Sequence, residues 1–177
     1  MRTALLIIDV QKGLFDPTPR PFEADQVLSR LNDLSRRARA AGVPVPHIQH
    51  ETPEGDLTYG APGWALASGL EASDTDLRLR KTTPDAFLRT ELQASLERLG
   101  VQALVVGGYS SEFCVDSTVR RAAALGYPVT LAADAHTAHD KAHATGAQIR
   151  AHTNATLPEL TSFGPCIRAL ATEAIVF

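Results

Sequence analysis

Cysteine is scarce in this 177-residue chain: Cys114 and Cys166 are the whole supply, far apart and without a CxxC spacing. A disulfide scaffold and a dithiol redox pair are thereby set aside, and each cysteine must be judged alone. Positive charge is not in excess either, with 17 Lys+Arg against 20 Asp+Glu and a net charge of −3. That balance argues against a phosphate backbone, so nucleic acid is not an expected partner. No apolar run is long enough to span a bilayer. The opening MRTALLIIDVQKG lacks a basic leader of useful length and a small-residue cleavage site, so no membrane association is expected and a cytoplasmic location is. Repeats and low-complexity tracts are absent. What is present is ordinary for one globular domain over residues 1–177, at 44% hydrophobic and 21% charged.

Apolar patterning divides the chain into alternating strands and helices. Ala4 to Val10 is a continuous β-branched and leucine-rich stretch, as expected of a strand covered on both faces. Glu23 to Ala41 places Val27, Leu28, Leu31 and Leu34 at helical spacing, with arginines near its end and Gly42 as a stop. Further strands are predicted at Val43–His50, Asp76–Lys81, Ala103–Gly108, Pro128–Ala133 and, at the terminus, Glu173–Phe177. Helices are predicted from Pro84 to Leu99, from a Ser111 N-cap to Gly126, and from His143 to Ala155. Residues 51–75 are rich in turn formers and read as a long loop. This alternation implies an α/β fold, a Rossmann-like three-layer sandwich around a six-stranded, mostly parallel sheet. Ligands of such sheets bind beyond the carboxyl ends of the strands, where Asp9, His50, Lys81, residues 107–114 and Asp134 should gather.

Three of these residues have reason to meet. Asp9 leaves a buried strand and its carboxylate needs a partner; Lys81 ends another strand and could supply an ammonium. Each also has a plain reading, Asp9 as a turn-forming strand terminus and Lys81 as a solvated strand end. Cys114 falls in the first turn after Ser111, where unpaired backbone N–H groups and the helix dipole favour a thiolate, although lone cysteines are more often inert core residues.

Asp9 in LLIIDVQKGLF, Lys81 in RKTTPDAF and Cys114 in GGYSSEFCVDSTVRRAAALGYPVTLAADAHT resemble, in order, the three signature blocks of the isochorismatase-like cysteine hydrolases, and GAPGW is similar to a loop element of many members. The resemblance covers nearly the whole chain. It implies an Asp-Lys-Cys triad in which Asp9 takes the thiol proton, Lys81 orients Asp9 and Cys114 attacks a carbonyl to give an acyl-enzyme. It also implies an oxyanion hole from the backbone N–H groups of Ser110 and Cys114, and a non-proline cis peptide at Tyr109–Ser110. Homodimers or homotetramers are common in the family and are expected here.

Gln11, Phe15, His50, Trp64, Tyr109 and Phe113 are candidates to contact a small-molecule substrate. Glu112 reads as a favourable helix-start charge, and Cys166 as a packing residue. A nicotinamidase-like branch binds a metal after its second strand, but PHIQHETPEGD lacks the DxH ligand pattern, and His47 and His50 face opposite sides of a strand. No metal and no cofactor are expected. The DAHTAHDKAH string, with Asp134, His136, His139, Asp140 and His143, fits no ligand spacing and reads as a polar loop opening a helix. The expected activity is hydrolysis of a small amide or related C–N bond. Vinyl-ether hydrolysis and a catalytically silent binding protein are the alternatives.

Overall fold

The computed structural model describes residues 1–177. Strands β1 (Thr3–Ile8), β2 (His47–His50), β3 (Arg78–Lys81), β4 (Ala103–Tyr109), β5 (Val129–Thr137) and β6 (Ile167–Leu170) form one sheet in the order β3-β2-β1-β4-β5-β6. All five neighbouring pairs are parallel. Helices α1 (Lys12–Phe15), α2 (Ala24–Ala40), α3 (Leu92–Arg98), α4 (Asp116–Ala124) and α5 (Gly146–Thr156) supply the crossovers and cover the faces. No helix is long and apolar enough to cross a membrane.

Alternation along β1 divides the core. Ala4, Leu6 and Ile8 pack with Leu92 and Leu96 of α3 and Val119 and Ala122 of α4. Leu5 and Ile7 pack with Val27, Leu31 and Leu34 of α2 on the opposite face. A continuous apolar strand is required because both faces are buried, and each buried leucine contributes on the order of 1.5–3 kcal/mol. The result is the α/β/α sandwich that the alternation implies.

Several boundaries differ from the sequence reading, each for a local reason. Pro44 and Pro46 lack N–H groups, so they offer only carbonyls, to Leu5 and Ile7, and the β2–β3 ladder begins at His47. The helix expected from Pro84 is confined to Leu92–Arg98. Upstream, Asp85 Oδ1 accepts from the Phe87 N–H, the Thr90 hydroxyl donates to the Ala86 carbonyl and Arg89 takes a positive φ of 58°, so side chains compete with the helical ladder. The terminal strand expected at Glu173–Phe177 is absent. Ile167–Leu170 takes the sheet edge, while Ile175 is buried against the α2 face and Arg37 donates to the carbonyls of Thr172 and Ile175. Strand β5 continues past Ala133 through a register irregularity, which places Asp134 within the strand. Its carboxylate bonds Thr172 and pairs with Arg30, so it ties down the C-terminal segment instead of bordering the rim.

Two consecutive glycines let the end of β4 lie close to β1 on one side and β5 on the other. A Cβ on Gly108, at φ 120°, would collide with the Ile8 carbonyl, and one on Gly107 would lie 2.8 Å from the Ala135 carbonyl oxygen.

Candidate active site

The carboxyl ends of β1, β2 and β4 converge on a small cavity of about 130 Å³, and β3 ends beside them at Lys81. Parallel register makes this unavoidable: Ile8 lies opposite Gly108, and His50 opposite Lys81, so the next residues emerge side by side. Asp9 follows β1 with φ 51°, a left-handed conformation uncommon outside glycine and one that functional sites hold in place.

Asp9 and Lys81 are 1% and 2% exposed, and Lys81 Nζ donates to Asp9 Oδ2 at 2.7 Å. The same ammonium lies 3.0 Å from His50 Nδ1, 3.1 Å from the Thr83 carbonyl and 3.3 Å from Cys114 Sγ. Three N–H bonds thus serve four acceptors, and donor capacity can turn toward the sulfur as it gains charge. An ammonium can only donate, so whenever it bonds Nδ1 the His50 ring is neutral with its proton on Nε2. Burial, followed by the Lys81 charge, lowers its pKa accordingly. Asp9 Oδ1 is buried with no N–H or O–H donor on it, and a carboxylate oxygen of Asp9 lies within 4.8 Å of Cys114 Sγ.

Cys114 sits on a π-helical turn, Ser111–Val115, that leads into α4. Ser110, not Ser111, occupies the extended N-cap position, at φ −100° and ψ 152°, and its carbonyl accepts from the N–H groups of Phe113 and Val115. The Tyr109–Ser110 peptide is cis. Ser110 lines the cavity and its own N–H makes no backbone hydrogen bond. The resting state of the sulfur departs from the sequence expectation of a thiolate. Burial first, and the Asp9 charge second, push the Cys114 thiol up to about 12 against the opposing pull of Lys81. The sulfur rests as a thiol with a base beside it.

Of the six expected substrate contacts, His50, Tyr109 and Phe113 line the cavity. The other three are elsewhere. Gln11 is fully buried and clamps the end of β2, its amide bonding the His50 N–H and carbonyl and the Trp64 carbonyl. Phe15 is a core residue, edge-on to Tyr109 at 5.9 Å. The Trp64 ring packs on Tyr59 at 4.8 Å and does not reach the cavity wall. Leu14 and Leu57 complete the wall; neither carries a local mark in the sequence, and only the folding back of loop 51–75 brings Leu57 there. Phe113 also borders a larger groove of about 680 Å³ between the π turn and α5.

Asp9, His50 and Cys114 offer three ligand atoms within 4.8 Å of one another, a set able to hold a metal ion. Lys81 Nζ already touches an atom of each, so a built-in cation takes the position a metal would need. The DAHTAHDKAH residues do not form a cluster: His139 bonds the Tyr109 hydroxyl, Asp140 accepts from the Gly146 N–H and His143 lines the larger groove. Cys166 is exposed and remote from these groups, so the packing role expected for it does not hold.

Comparison with known proteins places this geometry. A family model for the isochorismatase domain matches residues 3–161, and the chain belongs to the isochorismatase family. It is 40% identical over 138 residues to a streptothricin hydrolase of Streptomyces noursei, covering 77% of this chain and 50% of that protein. The chain thus spans about half the length of that curated relative. Among solved structures, an isochorismatase family protein superposes with a TM-score of 0.84 at 35% identity, over 96% of this chain and 98% of the other. An isochorismatase of Pseudomonas putida gives 0.86 at 29% identity, over 99% and 90%.

Proposed function

We propose that the protein is a hydrolase that cleaves the C–N bond of a small carboxamide through an acyl-enzyme on Cys114, with no catalytic metal. The observation that carries this reading is the unpartnered Asp9 Oδ1 beside a thiol that shares the Lys81 ammonium. Asp9 accepts the thiol proton as Sγ attacks the carbonyl carbon. Lys81 stays protonated and stabilises the forming charge on sulfur. The N–H groups of Ser110 and Cys114 receive the oxyanion, and one such donor is worth about 3 kcal/mol. The C–N bond then breaks as Asp9 returns the proton to the leaving nitrogen. Water, activated by Asp9, attacks the thioester, releasing the acid and restoring the thiol.

In this reading His50 donates to the substrate from its ring N–H, and Tyr109 and Phe113 supply aromatic walls of the cavity that all three line. The size of the cavity favours a small acyl or amide head, with any larger part extending past the half-exposed Phe113 ring. Family membership and the hydrolase name of the Streptomyces relative support hydrolysis. The test is intact-protein mass spectrometry after exposure to mixed primary carboxamides, beside an ammonia-release assay. An acyl adduct on Cys114 that vanishes in Cys114→Ala is expected. Neither adduct nor ammonia across the panel would overturn the reading.

A further inference from the structure

A second polar cluster lies behind the π turn, sealed from the cavity. Ser111 and His136 are both fully buried, and Ser111 Oγ lies 2.7 Å from His136 Nδ1. His136 Nε2 lies 2.9 Å from Asn154 Oδ1, and Asn154 Nδ2 donates to the Ala133 carbonyl at 2.8 Å. The protons in this chain are determined. The Ala133 carbonyl can only accept, so the asparagine amide faces it with its NH₂ and turns its oxygen to the histidine. His136 Nε2 must then carry a hydrogen, and a neutral ring leaves Nδ1 as an acceptor. The Ser111 hydroxyl therefore donates to His136. Burial holds the ring in that neutral form, lowering its pKa to about 4.

Ser111 opens the turn that carries Cys114, and Ser110 immediately precedes it. We infer that His136 is a positioning residue for the reaction: through Ser111 it pins the π turn to β5 and α5, fixing the Cys114 sulfur and the Ser110 and Cys114 N–H groups against the substrate carbonyl. A fully bonded buried chain suits this purpose because each member has one permitted orientation. A shift of about 1 Å at a reacting atom can cost on the order of 10²-fold in rate.

The inference rests on the hydrolase reading, so its test carries a readout independent of turnover. Steady-state kinetics on a small carboxamide and the rate of iodoacetamide labelling of Cys114, normalised to Cys166, are measured for His136→Leu, Ser111→Ala, their double variant and His136→Gln. The two single changes are expected to lower kcat and labelling about 10- to 100-fold with KM within about two-fold. The double variant should be no worse than the poorer single one. Glutamine, which can accept from Ser111 and donate to Asn154, should restore both rates to within a few-fold of wild type. Wild-type rates in folded His136→Leu, a glutamine variant as poor as leucine, or multiplying defects would overturn the inference. Should His136→Leu not fold, unchanged rates in Ser111→Ala overturn it alone. If the wild type turns over no carboxamide, the hydrolase reading fails separately, and the labelling rates alone decide the positioning role.

Discussion

A histidine, a carboxylate and a cation meet at both ends of strands β2 and β3, and the two ends behave differently. At the amino end, Asp76 accepts from Arg39 Nε and Nη2, from His47 Nε2 and from the Ser73 N–H, so both of its oxygens are occupied. At the carboxyl end, Asp9 has one oxygen on Lys81 and the other without an N–H or O–H donor. The same residue types thus produce a saturated brace in one place and an unspent acceptor in the other. Cavity size does not separate them, since about 470 Å³ of open groove borders Asp76 and only about 130 Å³ borders Asp9. Unmet bonding capacity beside a nucleophile separates them.

The largest expected effect lies at the reactive end. Cys114→Ala should lower carboxamide turnover on the order of 10⁴-fold or more while the thermal midpoint moves little, measured by ammonia release and by melting. Next, Asp9→Asn keeps the shape but removes the base, so turnover should fall about 10²- to 10⁴-fold. The same change strands a buried ammonium and should destabilise by about 3–5 kcal/mol, read from urea unfolding. Its counterpart, Asp76→Asn, should destabilise by about 1.5–3 kcal/mol yet leave turnover per folded molecule unchanged. Lost turnover in folded Asp76→Asn would break the contrast.

The smallest effect is a pH slope. His47 and His136 are both held neutral to about 4, chiefly by burial. Below the ordinary histidine value of 6.5 the unfolded chain takes up protons that the folded chain refuses, so stability falls as pH drops from there toward about 4. His47→Gln should flatten part of that slope in denaturant unfolding measured across the range, and an unchanged slope would remove His47 from the account.

The central part of the fold was legible because double burial leaves a direct imprint: β1, β4 and the heptad-like face of α2 show it in their apolar residues. The edges were not. IRAL and EAIVF are equally plausible edge strands by composition, and the choice depends on β5 accepting the first while Arg37 and Asp134 hold the turn before the second. In the site, Asp9, Lys81 and Cys114 were identifiable from the blocks around them, whereas Gln11 and Trp64 lay in the right loops with their bonding directed elsewhere. Sequence position places a residue at the rim; it does not say which way an amide turns. The sequence points to a thiolate and the fold to a thiol because local helix-end electrostatics is visible in sequence and the depth of burial is not.

Asp9, Lys81 and Cys114 are supplied by β1, β3 and the turn after β4, at sequence separations of 72 from Asp9 to Lys81 and 33 from Lys81 to Cys114. Contacts at such separations are slow to form, because loop-closure entropy opposes them before they reward it. A nascent or half-folded molecule therefore holds Cys114 as an ordinary exposed thiol without its base and its ammonium, and the onset of hydrolysis would serve as a timer for completion of the sheet.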